Sequence, residues 1–552
     1  MSTSLVSAQI DSYIRDGLPP LDQWPQFQYE FAKDVSQPQF NLVVELLDKA
    51  EVRGFSKKIL LRSPQMTLTY VETLERVNRI ALVLTEDLQL VPGQRVLLRG
   101  GNSIGLALAW LAVVKAGLIA VATMPLLRAS ELGGIIDIAK PTVALCDLSL
   151  MEELKIAQAT QGEAPTLHTI VAFNAHQEPT GLEARALKKS SNFMACPTLA
   201  TDIALMSFTS GTTGKPKAVV HAHRDVLAAC EAWPRFVLEA KPSDIVFGSP
   251  PLAFTFGLGG LLIFPMWAGA SVYFHDAPLN PQTVVDVIKQ IGVTICYTAP
   301  TMYRQLAPIA KANGLPSLQL SVSAGEALPD ATRQLWKSAT GLEMLDGIGA
   351  TEMFHIFISS KGAEVRAGAI GKVVPGYTAK VVDEVGQEVP VGTVGKLAVI
   401  GPTGCKYFND IRQSNYVKNG WNYPGDAFRM DADGYFYYQA RDDDMIITAG
   451  YNVGAPEVED ALLKHPAVAE CGVVGQPDIE RGMMIHALCV LNEGFIADEA
   501  MIKILQDHVK ASIAPYKYPR RVTFVSKLPR TETGKLQRFK LRTLYASTST
   551  AT

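Results

Sequence analysis

The side chains best placed to do chemistry together lie in one run, MSFTSGTTGKPKAVVHAHRD, from Met206 to Asp225. Thr209, Ser210, Thr212 and Thr213 crowd around Gly211 and Gly214, and Lys215 and Lys217 follow. Glycines let a backbone approach a polyphosphate closely, hydroxyl and amide groups donate to its oxygens, and lysines offset its charge. The run is therefore a phosphate loop, but not of the common NTPase kind. Pro216 stands where the Walker A pattern requires Ser or Thr after Lys215. The plainer alternative is an exposed Gly/Thr-rich hairpin. The nearby His221 and His223 read as structural.

The string TSGTTGKPKA resembles the phosphate loop of the adenylate-forming superfamily: acyl-CoA ligases, nonribosomal adenylation domains and firefly luciferase. Ala218 stands where that family usually has glycine, a change that a negative φ tolerates. The resemblance runs from about Leu42 to Arg542. LDGIGATEMFHIF (345–357) is similar to the family's Y-G-x-T-E motif, with Ile348 replacing the aromatic residue. This implies that Thr351 contacts the α-phosphate and that Glu352, a hard oxygen ligand, helps to hold Mg²⁺. SAGEALP (323–329) resembles the adenine loop, which would set Ala324, Gly325 and Glu326 on one face of the base and Gly347 and Ile348 on the other. By the same resemblance Asp426 accepts hydrogen bonds from the ribose hydroxyls, and Arg441 joins it or reaches the phosphate.

Three further strings carry the resemblance toward the C-terminus. RDDDM (441–445) corresponds to the family's hinge, with Asp443 as its pivot. TAGYNVGAPEVE (448–459) resembles the loop that lines the pantetheine tunnel, so Gly450, Tyr451 and Asn452 become CoA contacts. LPRTETGKLQR (528–538) places Lys535 where the family's lysine bridges the carboxylate and the α-phosphate. A cation is needed there, because the acid attacks a phosphorus surrounded by negative oxygens.

For the acyl group, SPPLAFTFGLGGLL (249–262) sets Phe254, Thr255 and Phe256 before Gly257 and Gly259, which reads as a flat slot with apolar walls. DGIGATEMFHIF is similar to benzoate-type CoA ligases, which implies that Gly349 and His355 border an aromatic ring. If the segment is helical, His355 shares a face with Glu352, three residues earlier. The implied activity is an ATP-dependent acid:CoA ligase that uses ATP, Mg²⁺ and coenzyme A. It forms an acyl-adenylate and then a thioester, on benzoate or a small substituted benzoate such as 2-aminobenzoate. A stand-alone adenylation enzyme loading a carrier-protein thiol, an aliphatic acyl-CoA synthetase and a nucleotide-binding scaffold without chemistry are the alternatives.

These residues need a large framework, and 552 residues exceed one compact core. Between about Phe40 and Ala270, apolar runs alternate with amphipathic stretches, the pattern of α/β layers. The spacing predicts strands over 94–100, 142–147, 203–207 and 271–276, and a helix over 103–117. The Val- and Gly-rich segment 371–397 reads as a small β subdomain. Beyond about 445 the chain predicts a helix over 455–468, strands near 471–474 and 486–491, a helix over 498–513 and a strand near 521–525. The fold class is thus α/β: a large N-terminal domain (1–440) of layered α/β subdomains plus a β subdomain, a hinge (441–444), and a small, mobile α+β C-terminal domain (445–552).

Composition excludes several functions. A net charge of −3 gives no reason to expect nucleic acid or an anionic membrane as partner. Seven dispersed cysteines without a CxxC pair read as reduced thiols, not as a disulfide or zinc framework. The most apolar stretch, Ile104 to Leu126, is broken by Lys115 and Gly117, and no signal-peptide core precedes it. It reads as a buried helix leading into a strand, in a cytoplasmic protein; a homodimer is the candidate assembly.

Overall fold

The computed structural model describes residues 6–162, 164–210, 216–441, 444–448, 451–478, 481–530 and 535–544, and the side chains of Ser210, Tyr451 and Asn452 lie outside that description. Among the described residues, one sheet has nine strands and a second has six. At the centre of the first, Met344–Gly349, Leu320–Ser323, Ile295–Thr298, Ile245–Gly248, Ser271–Tyr273 and Ile59–Arg62 run parallel, and antiparallel strands close both edges. Parallel strands buried on both faces require near-continuous apolar runs, as in ICYT (295–298). Such sheets bind ligands beyond the carboxyl ends of their strands. Ser249–Phe256, Ala324–Glu326 and Gly349–Thr351 follow or end three of those strands. Segments remote in sequence therefore share one edge.

The six-stranded sheet ends in an antiparallel hairpin, Ile203–Ser210 against Pro216–Ala222, which the segment 211–215 joins. Beside it the helix Ile104–Lys115 is buried along almost its whole length, with Ser103 capping its first turn through a bond from the Leu106 amide of 3.2 Å. Lys115 ends that helix fully buried. Its ammonium donates to Asp48 Oδ1 and Oδ2 at 2.8 and 2.6 Å and to Asn78 Oδ1 at 2.7 Å. Burial lowers its pKa, and Asp48 opposes the fall. A buried ion pair, not a lipid surface, accounts for this segment. No helix among the described residues is long and apolar enough to cross a membrane.

Some boundaries differ from expectation. Lys372–Val373 pairs with Ile356–Ser359 on the nine-stranded sheet, and the antiparallel β layer runs instead from Thr378 to Arg441. Gly371, at φ +145°, makes this break. A Cβ there would lie 2.2 Å from the Ser359 carbonyl, so only glycine lets the two backbones pass. Toward the C-terminus, Ala455–Leu463 forms a helix with Pro456 in its first turn, but it stops before His465 because Pro466 cannot continue it. The strands Val468–Asp478 and Gly482–Leu491 are longer than their apolar cores, and Arg521–Phe524 pairs parallel to the second. Ile446, Val458, Leu462, Ile485, Leu505 and Val509 build a separate apolar cluster there. The seven cysteines are free thiols.

Candidate active site

Thr209 stands opposite Lys217 in the phosphate hairpin, and Ala218 pairs with Phe208 without a positive φ, which is why alanine is accommodated. Gly211, Thr212, Thr213, Gly214 and the Ser210 side chain lie outside the described residues. Lys217 Nζ donates to Tyr407 Oη at 3.3 Å and lies 5.1 Å from the centre of the Tyr407 ring. Tyr407 Oη in turn donates to Glu352 Oε1 at 2.5 Å. Burial, reinforced by the Glu352 charge, pushes the Tyr407 pKa far up, so the phenol keeps its proton and must be the donor. The hairpin lysine and the motif carboxylate are thus joined through one phenol that the sequence reading did not single out.

Behind this chain, His221 Nε2 lies 2.7 Å from the Thr351 carbonyl. Burial holds His221 near a pKa of about 4, opposed in part by Asp225, so it is neutral. A carbonyl only accepts, which assigns the imidazole proton to Nε2. His223 accepts the Leu42 amide at 3.1 Å, and both histidines are structural as expected. Asp225 accepts the Ala222 amide at 2.8 Å and pairs with the buried Lys406 at 2.6 Å. Burial raises the Asp225 pKa, but the charge and hydrogen bond of Lys406, with the Ala222 amide, outweigh it and leave the carboxyl below its usual range.

The expectation that His355 and Glu352 share a helical face is wrong. Thr351–Met353 is a single 3-10 turn, and Phe354 ends it at φ +66°. His355 instead enters an aromatic wall, with ring centres 5.5 Å from Phe256, 5.2 Å from Trp233 and 4.6 Å from Phe264. Burial keeps it neutral, with a pKa of about 3, against a smaller effect of the Phe256 backbone. Phe256 also lies 5.8 Å from Tyr297. Gly349 is obligatory beside this wall, because a Cβ would fall 2.6 Å from the His355 carbonyl oxygen. Thr255 is buried in the turn Thr255–Leu258; Phe254 precedes that turn half-buried and makes no ring contact with the cluster.

On the nucleotide side, Gly325 at φ +92° follows Leu320–Ser323, and Gly347 and Ile348 occupy the adjacent strand. Asp426 and Arg441 are directly paired across neighbouring antiparallel strands, with their charged groups 3.4 Å apart. That register explains the fifteen-residue spacing. Lys535 Cε would lie 3.8 Å from a Cβ built on Gly325. Burial lowers the Lys535 pKa, while Glu326, Glu352 and Asp426 oppose and Arg441 reinforces the fall. Solvent nevertheless reaches the Lys535 side chain. Arg530, five residues earlier, pairs with Glu326 at 3.3 Å and Glu470 at 2.8 Å and bridges to Leu536. Glu326 also accepts from Thr301 Oγ1 at 2.6 Å, so the carboxylate expected at adenine is engaged by Arg530 and Thr301.

Asp443 and Gly450 lie outside the described residues, and Tyr451 and Asn452 are described only as backbone of the strand Tyr451–Val453. Among the described residues no group of three or more His, Cys, Asp or Glu side chains could hold a metal ion by itself. Glu352 offers a single carboxylate, which fits a cation that would take its remaining ligands from triphosphate oxygens and water, the usual manner of Mg²⁺. Glu352 Oε1 is oriented by Tyr407, which suits that role.

This arrangement has close counterparts. Residues 48–407 match the AMP-binding enzyme family, and residues 457–535 match the AMP-binding enzyme C-terminal domain. A benzoate–CoA ligase of Thauera aromatica is 36% identical over 510 residues, covering 91% of this chain and 96% of that protein. The anthranilate CoA ligase AuaEII, solved in complex with anthranoyl-AMP, superimposes with a TM-score of 0.85 at 35% identity, covering 92% of this chain and 98% of that one. A benzoate CoA ligase of Burkholderia xenovorans LB400 does so with a TM-score of 0.82 at 31% identity, covering 91% and 100%. With both family models matched and a relative covered over nearly the full length, the chain belongs to the AMP-binding enzyme family.

Proposed function

We propose that this chain is an ATP-dependent acid:CoA ligase acting on benzoate or a small substituted benzoate, with 2-aminobenzoate as one candidate. The observation that carries this reading is the convergence of Lys535 with Glu352 and Asp426 on the cleft beside Gly325. A lysine brought from the far end of the chain into that position has a task in adenylation, and a plain nucleotide-binding scaffold has no need of it. The rings of Phe256, His355 and Phe264 support an aromatic acid.

In the first half-reaction a carboxylate oxygen attacks the α-phosphorus, the bond to pyrophosphate breaks, and acyl-AMP forms. Lys535 offsets the charge between the two anions, Thr351 meets the α-phosphate, and the hairpin from Thr209 to Lys217 cradles the leaving phosphates. Glu352 would hold Mg²⁺, which when bound with ATP would offset charge on the leaving pyrophosphate. Asp426 and Arg441 orient the ribose. In the second half-reaction the C-terminal domain (445–552) turns about the hinge (441–444) at Asp443, which withdraws Lys535 and brings Gly450, Tyr451 and Asn452 to the CoA arm. The CoA sulfur, having lost its proton, attacks the acyl carbon, and AMP leaves. The cytoplasm, where ATP and CoA are supplied, is the proposed location. Pyrophosphate release by the purified protein, measured on a panel of aromatic and aliphatic acids with and without CoA, tests the reading. Acyl-CoA with AMP from an aromatic acid is expected. Pyrophosphate release without any acyl-CoA points to a carrier-protein acceptor and refutes CoA ligation.

A further inference from the structure

The aromatic wall holds polar atoms that the protein leaves without partners. Tyr297 is fully buried and its hydroxyl makes no hydrogen bond; Trp233 is 1% exposed and its Nε1–H has no acceptor; the buried His355 beside them has only the Phe256 backbone to meet one of its two ring nitrogens. These three rings are one cluster: Trp233 and Tyr297 lie 6.4 Å apart, Trp233 and His355 5.2 Å, and Phe256 bridges Tyr297 and His355. Gly259 and Gly260 press against it, since added Cβ atoms would fall 2.7 Å from the His355 ring and 2.6 Å from the Tyr297 ring. The close fit means that side chains of the wall cannot relax toward other partners without displacing the glycine backbone.

Buried polar groups are nearly always hydrogen-bonded, and leaving one unsatisfied is costly. A wall meant for an unsubstituted ring has no reason to carry three such groups when phenylalanine fills the same volume at Phe256 and Phe264. We infer that Tyr297, Trp233 and His355 form a recognition patch for a polar ring substituent, so that the acid is an amino- or hydroxy-substituted aromatic acid and not bare benzoate. This rests on the acid:CoA ligase reading above and narrows it. The patch offers a donor in Trp233, a donor and acceptor in Tyr297, and in the neutral His355 the ring nitrogen that the Phe256 backbone leaves over. A hydroxyl or amino group on the substrate pairs with them, whereas a bare ring leaves them unpaired in the bound state. Sites built around such groups discriminate strongly against the analogue that lacks the partner.

The test compares kcat/KM for benzoate with that for 2-, 3- and 4-amino- and hydroxybenzoates, using pyrophosphate release by the full-length protein. At least one substituted acid is expected to exceed benzoate by about 10- to 100-fold, the range that one unsatisfied buried group implies. In Tyr297→Phe that ratio falls toward one, and because the hydroxyl removed had no partner, the ligand-free variant melts no lower than the parent. Trp233→Phe repeats the ratio test at the neighbouring donor. Benzoate matching or exceeding every substituted acid overturns the inference while leaving the ligase reading intact, as does an unchanged ratio in both variants. Adenylation of aliphatic acids alone overturns both. A lower melting temperature for Tyr297→Phe shows that the hydroxyl already has a partner in the fold, and also counts against the patch.

Discussion

Replacing Tyr407 with phenylalanine removes one oxygen and very little else. The ring, 1% exposed and edge-on to Tyr416 at 5.7 Å, keeps its packing. What disappears is the 2.5 Å donation to Glu352 Oε1 and the acceptor for Lys217 at 3.3 Å. A hydrogen bond to a buried charge contributes about 1.5–3 kcal/mol, and each 1.36 kcal/mol is tenfold in rate. If Glu352 takes the cation that accompanies ATP, Tyr407→Phe should lower kcat/KM for MgATP in pyrophosphate release by about 10- to 150-fold. The Mg²⁺ concentration giving half-maximal rate should rise as well, because the carboxylate is no longer held for the metal. Thioester formation from supplied acyl-adenylate and CoA involves no triphosphate and should stay within about threefold of the parent by the same reasoning. A variant within twofold of the parent in adenylation, or one that loses both half-reactions equally, refutes the assignment of Tyr407 as the residue that orients Glu352.

Other parts of the site make independent predictions. Gly349→Ala forces a Cβ against the His355 carbonyl oxygen at 2.6 Å, so the acyl wall must shift; KM for the acid should rise at least tenfold, read from initial rates, while KM for ATP changes little. Lys406→Met leaves the buried Asp225 charge unpaired and should cost about 3–5 kcal/mol of unfolding free energy in urea; a loss under 1 kcal/mol contradicts a buried ion pair. His221, His223, His355 and His486 are held neutral at about 4, 3, 3 and 4, chiefly by burial. Their folded pKa values lie below the unfolded value, so stability is constant above about pH 6.5 and falls as the unfolded chain takes up protons that the fold excludes. At pH 5 each costs about 2 kcal/mol. Asp346, raised by burial to about 7, works the other way and returns about 3 kcal/mol over the same interval, leaving a net loss of about 5 kcal/mol against pH 7.5. Urea titrations at the two pH values check this, and equal midpoints contradict it.

The motifs were legible because each concentrates its chemistry in a few neighbouring residues. Thr209 to Lys217 reads as a phosphate loop from glycine, hydroxyl and lysine content alone, and the described residues on either side of it form two paired strands. Asp426 and Arg441 were recognisable singly, and the strand register then made them a pair. What stayed hidden depends on contacts between distant segments. Tyr407 stands in GPTGCKYFND with nothing local to mark it. The bridge between Val219 and Tyr407, with backbone bonds from Val220 to Lys406 and from Phe408 to Ala218, brings it to the hairpin. Nothing local marks Trp233 and Tyr297, and their significance lies in partners they lack, which no sequence displays. His355 was found by resemblance and misplaced by periodicity, since a positive φ at Phe354 ends the turn that the spacing argument assumed. The β layer was placed too early because Val and Gly content does not say which sheet a short strand joins. Glu326, expected at the nucleotide, also pairs with Arg530, a contact visible only once the C-terminal segment has docked.

The central claim is that Lys535 serves the first half-reaction and not the second. Lys535→Ala, assayed separately for acyl-adenylate formation from acid and ATP and for acyl-CoA formation from supplied adenylate and CoA, tests it most directly. The account predicts that adenylate formation falls by about 10²–10³ while thioester formation persists near the parent rate. Adenylate formation at the parent rate, or thioester formation lost in equal measure, would contradict it.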